Sequence, residues 1–67
     1  MITVKEFTQL AVCKIDTVRL WRAETCRVEF EGTYFDLAES QYADEIVDSV
    51  NPEKTESGEY VICINIG

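Results

Sequence analysis

The chain contains no histidine, one proline and three glycines among its 67 residues, and only six lysines and arginines. The missing histidine removes the commonest general base and the commonest zinc ligand. No long run of apolar residues occurs, so no membrane-spanning helix is expected. Charges interrupt the opening Met1-Ile2-Thr3-Val4-Lys5-Glu6, so no signal peptide is expected, and the expected compartment is the cytoplasm. Cys13, Cys26 and Cys63 form no Cys-x-x-Cys pair and lack a fourth zinc ligand. In a reducing compartment they read as thiols. Asp44-Glu45 and Asp48 lack the glycine that turns a calcium loop. There is no Ser–His or Cys–His pair and no Gly-rich phosphate loop, and so short a chain has little room for a substrate cleft. These absences point to a non-enzymatic protein with no cofactor and no metal site.

What is present is enough to fold. At 46% hydrophobic and 10% aromatic residues, the chain reads as a single small domain, residues 1–67. Thr3-Val4-Lys5-Glu6 is a capping box, followed by Val4, Phe7, Leu10 and Ala11 on one helical face. A helix over residues 4–12 is predicted. Residues 17–22 and 26–31 then alternate with a period of two and read as an antiparallel hairpin around the turn Ala23-Glu24-Thr25. Gly32 ends the hairpin or bulges it. Asp36-Leu37-Ala38-Glu39 resembles a second capping box, with Asp36 as the cap of a short helix to about Tyr42. A weaker strand is expected over residues 45–51, then a polar turn over 52–58. The strongest strand follows over residues 59–66. The predicted fold is α+β: an N-terminal helix packed on a roughly four-stranded antiparallel sheet, with a short second helix after strand 2.

Alternation assigns two faces to that sheet. Val18, Leu20, Val28, Phe30, Tyr60, Ile62, Ile64 and Ile66 are expected to meet Val4, Phe7 and Leu10 of the helix. Arg19, Trp21, Arg27, Glu29, Val61 and Cys63 fall on the opposite face, a mixed surface with an apolar centre. With Arg22 alongside, Arg19, Trp21 and Arg27 offer an aromatic among cations. That arrangement suits either stacking on nucleic acid or the anchor of a homodimer. A chain this short gains from self-association, so a homodimer is expected.

Charge separates along the chain. Residues 1–27 carry a net +2 and residues 28–67 a net -9, for a total of -7. Such a balance disfavours direct binding of nucleic acid. It suits either a surface that keeps the chain soluble and dispersed or an acidic patch that docks on a basic groove, with Glu29, Glu31, Asp36, Glu39, Asp44, Glu45 and Asp48 as the candidate residues of that patch.

The overall pattern resembles very short acidic proteins of Gram-positive bacteria, their phages and mobile elements. The stretches that carry the resemblance are Thr3-Val4-Lys5-Glu6-Phe7, Val18-Arg19-Leu20-Trp21, Val28-Glu29-Phe30-Glu31-Gly32, Asp36-Leu37, Val47-Asp48-Ser49-Val50 and Val61-Ile62-Cys63-Ile64-Asn65-Ile66. Some proteins similar in size and acidity are anti-CRISPR proteins, which block a nuclease by occupying its nucleic-acid site or holding it inactive. The resemblance implies a phage- or mobile-element-encoded inhibitor acting in the host cytoplasm on a host nucleic-acid-handling protein, with no catalytic residue. The alternative is a small homo-oligomeric module that binds nucleic acid or a ligand through Arg19, Trp21, Arg22 and Arg27.

Overall fold

A computed structural model describes residues 1–10 and 16–67. The capping box forms: the Thr3 hydroxyl accepts from the Glu6 N–H at 3.1 Å, and the Glu6 carboxylate accepts from the Thr3 N–H at 3.0 Å. Helix α1 spans Val4–Gln9 and is capped at Leu10. The expected continuation through Ala11 and Val12, and Cys13 with it, lie outside the described residues. Six residues cannot hold a helix alone. The N–H groups of Val4 and Lys5 donate to the Glu45 and Ala43 carbonyls at 2.8 and 2.9 Å, which moors its first turn. Val4 and Thr8 are buried and Phe7 packs beside them. Leu10, expected in this interface, is 71% exposed. At about 100° per residue it stands about 120° away from Val4 around the helix.

The hairpin forms as strands β1, Thr17–Arg22, and β2, Arg27–Thr33. Its loop is longer than the expected three residues, because Arg22 pairs with Arg27 and Cys26 sits in the turn at φ 53°. The bulge is not at Gly32, which pairs with Val18 inside the ladder. It falls where Leu20 pairs with Phe30 but Trp21 pairs with Val28, leaving Glu29 as the extra residue. One extra residue reverses every later side chain. Val28 therefore joins Trp21 on the far face and is 53% exposed, instead of entering the core. Gly32 answers a different need: a Cβ there would stand 3.1 Å from the Phe30 ring.

Helix α2 spans Tyr34–Ala38, three residues earlier than expected. Thr33, not Asp36, is its cap, accepting from the Asp36 N–H at 3.1 Å. Both residue types cap well. The earlier start buries Tyr34 and Leu37 one turn apart. Strand β3 spans Val47–Lys54, running through Pro52, and the turn that follows holds Gly58 at φ 90°. Strand β4 spans Tyr60–Ile66.

The sheet is mixed and not purely antiparallel. Its order is β2-β1-β4-β3, with β4 parallel to β1 and antiparallel to β3. Burial explains the order. β4 buries Val61 and Cys63 on one side and Ile64 and Ile66 toward the helices, so it gains most from a central place. β3 is polar and contains Pro52, which suits an edge. The core comprises Val4, Val18, Leu20, Tyr34, Leu37, Ile64 and Ile66, so both helices lie on one face of the sheet. Tyr60, expected in that core, is exposed at the start of β4.

Candidate functional site

Among the described residues, no helix lies on the second face of the sheet. The register places Arg19 and Trp21 of β1 beside Cys63 and Asn65 of β4, as alternation predicts. Cys63 is nonetheless only 1% exposed, and Val61 is buried beside it. Side chains do the covering. Arg19 donates through Nε to Glu31 on β2 and through Nη1 to Glu53 on β3, the latter at 3.4 Å, so the bridge spans the sheet over β4. These carboxylates hold the Arg19 guanidinium firmly protonated, with Glu31 the larger influence. Asn65 donates to Ser49 at 2.9 Å and to Asn51 at 2.7 Å along the other side. The Cys63 thiol donates to the Asn65 side-chain oxygen Oδ1 at 3.6 Å. Burial, and then the Glu53 carboxylate, push the Cys63 thiol up to about 11, so it stays protonated. Cys26 is exposed.

Arg22, Arg27 and Glu29 do not belong to this face. Arg22 pairs with Ile66, whose side chain is in the core, and with Arg27 across the hairpin end. Its guanidinium turns toward the helix layer. There it donates to Glu29 at 2.8 Å, to Glu45 at 2.5 Å and to the Gly67 carbonyl at 3.0 Å. Glu45 and then Glu29 raise its pKa further. The bulge makes this cluster, because the residue it displaces is Glu29 itself. The Tyr42 hydroxyl secures the same point by donating to the Glu29 carbonyl at 3.2 Å.

The seven acidic candidates thus divide. Glu29, Glu31 and Glu45 are spent on Arg22 and Arg19. Asp36, Glu39, Asp44 and Asp48 are exposed and make no ion pair among the described residues. Asp36 lies in the first turn of α2, and Asp48 is the residue skipped where the β3 register shifts between Val47 and Ser49. Among the described residues, no group of three acids or thiols stands close enough to hold a metal ion.

Sequence reasoning missed a cleft of about 780 Å3 where the first residues of β1 and β4 meet the β3–β4 turn. Asp16, Glu31, Glu56 and Glu59 line it together with Arg19, Tyr34 and Tyr60. Nothing in the local pattern joins these positions, because the parallel pairing of β1 with β4 is what brings them together.

No protein-family model matches the chain, and no curated protein or solved structure matches it. No helix among the described residues is long and apolar enough to cross a membrane.

Proposed function

We propose that this protein is a non-enzymatic acidic inhibitor, of the anti-CRISPR type, that blocks the nucleic-acid site of a host defence protein in the host cytoplasm. The supporting observation is how its charges are spent. Arg19 and Arg22 each hold two glutamates, and among the described residues nine acids against three bases lie outside these pairs. The surplus is carried on exposed positions such as Asp36, Glu39, Asp44 and Asp48. Exposed carboxylates of one sign steer a protein toward a basic groove and compete there with phosphates.

The rival reading, a small homo-oligomeric module that binds nucleic acid or a ligand through Arg19, Trp21, Arg22 and Arg27, has less support. Arg19 is neutralised by two carboxylates, and Arg22 and Arg27 stand on the other side of the sheet. The helix-free face better suits the homodimer. It carries Trp21 and exposed Val28, and its charges are largely cancelled around Arg19, so two copies of a -7 chain meet there with least repulsion.

The test is competitive. Proteins captured from host lysate on the immobilised chain are assayed for nucleic-acid binding with and without added inhibitor. A captured partner whose DNA or RNA is displaced in proportion to inhibitor supports the reading. A partner that keeps its nucleic acid at saturating inhibitor refutes it.

A further inference from the structure

The sheet face turned away from α1 and α2 is close to neutral. Among its paired residues only Arg19, Glu31 and Glu53 are charged, and the one guanidinium holds both carboxylates. The chain has thirteen acids, so these rows hold few of them. Low charge with an arginine and an aromatic side chain retained is the composition of an interface core, not of a solvated rim.

The polar groups of this face are spent inside one copy. The Asn65 amide donates to Ser49 at 2.9 Å and to Asn51 at 2.7 Å, and the Cys63 thiol donates to the Asn65 oxygen. Arg19 lies on its two carboxylates. Among the described residues, no buried side-chain nitrogen or oxygen lacks a partner. Such a surface can leave water without stranding a donor or acceptor, which is the main cost of burying polar groups. A ligand recognised by hydrogen bonds would first have to break these. A flat, neutral surface would not, and it would gain by covering Val28, 53% exposed beside Trp21.

The same face on another molecule of this protein has those properties by identity. A strongly basic partner is drawn instead to the unpaired acids of the helix layer. Four strands about 4.8 Å apart, each of about seven residues rising about 3.3 Å, make a face of about 440 Å2. Two such faces together remove about 900 Å2 from water, at the low end for specific contacts, so the pairing is reversible.

We propose that a second copy of the chain occupies this face, in a reversible face-to-face pair whose helix layers point outward in opposite directions. Asp36 and Glu39 at α2, and Asp44 in the connection that moors α1, then stay uncovered on both copies. The pair therefore offers two acidic surfaces to two basic grooves at once, a consequence that rests on the inhibitor reading.

The experiment uses the chain alone, in sedimentation equilibrium and NMR over a concentration series from about 10 μM to about 2 mM, which spans weak pairing. The mass should rise toward twice that of one copy. Resonances of Trp21, Val28 and Asn65 should shift with concentration while those of Phe35, Asp36 and Glu39 stay still. V28K puts a cation on an exposed position, so it should melt like the parent while the pair weakens at least about tenfold. W21A should weaken it as well, and D36K on the helix layer should not. Added salt should tighten the pair, because it screens the repulsion between two -7 chains, whereas salt weakens the docking of acids on a basic groove. The two readings therefore fail separately. A chain that stays monomeric through the series, a pair that V28K leaves intact, or shifts centred on the helix layer would overturn the proposal.

Discussion

Leu37→Ala is the sharpest test of how the helix layer is held. Leu37 is fully buried and is one of only two buried residues that α2 contributes. The substitution removes three carbons, worth about 2.4 kcal/mol at about 0.8 per methylene. The cavity left beneath a five-residue helix adds to that, so the expected cost is about 3 kcal/mol. A 67-residue domain is held by roughly 3–10 kcal/mol, so this is a large fraction of the total. The control is Leu10→Ala, in which the same atoms leave a residue 71% exposed. It should cost under about 0.5 kcal/mol. Urea unfolding followed by Trp21 fluorescence and by circular dichroism measures both. With a slope near 1 kcal/mol per molar urea for so small a chain, the Leu37→Ala midpoint should fall by about 3 M. The Leu10→Ala midpoint should move by less than about 0.5 M. Equal shifts for the two variants, or a Leu37→Ala midpoint within error of the parent, would refute the assigned core.

Thr33→Ala should destabilise by about 1 kcal/mol in the same assay, because it removes the cap of α2, whereas Asp36→Ala should cost only a few tenths; the reverse order would restore Asp36 as the cap. Reversing Asp36, Glu39, Asp44 or Asp48 to Lys should slow association with the captured partner, and rising salt should erase the difference; rates indifferent to salt and charge would reduce the acidic surface to a solubility device. Peptide-mapped alkylation at pH 8 should label Cys26 quickly and Cys63 slowly, since the buried thiol stays protonated up to about 11. A thiol held above its unfolded value stabilises the fold most at lower pH, so stability should fall as pH rises from about 9 toward about 11, and Cys63→Ala should flatten that fall.

Local chemistry was legible in the sequence wherever it is settled by neighbours along the chain. The Thr3–Glu6 capping box, the alternation of β1 and the run of β4 are of this kind, and the α+β class follows from them. Competition between equals was not legible. Thr33 and Asp36 are both good caps three residues apart, and only the burial of Tyr34 and Leu37 chooses between them. Long-range pairing was hidden as well. The bulge at Glu29 depends on how β2 lies against β1, and it alone sends Val28 outward and Glu29 to Arg22. The parallel alignment of β1 and β4 has no local signature, and it decides which acids are spent, which remain and where the Tyr34 cleft opens.

The central position of β4 also has a consequence for how the chain comes to fold. β1 and β2 are neighbours in sequence and can pair early as a hairpin. The next pairing, Val18 with Ile62, joins residues more than forty positions apart, and β3 can join the sheet only through β4. Closing so long a loop costs entropy before any contact repays it, which slows folding. Until β4 arrives, one side of β1 is an open edge beside Val18 and Leu20, a template for pairing with another chain. On a ribosome the first half of the chain waits in that state until Ile64 and Ile66 have emerged. The strong negative charge of the second half then acts on the timing of assembly as well, because it keeps unfinished copies apart while the last strand finds its place between its neighbours.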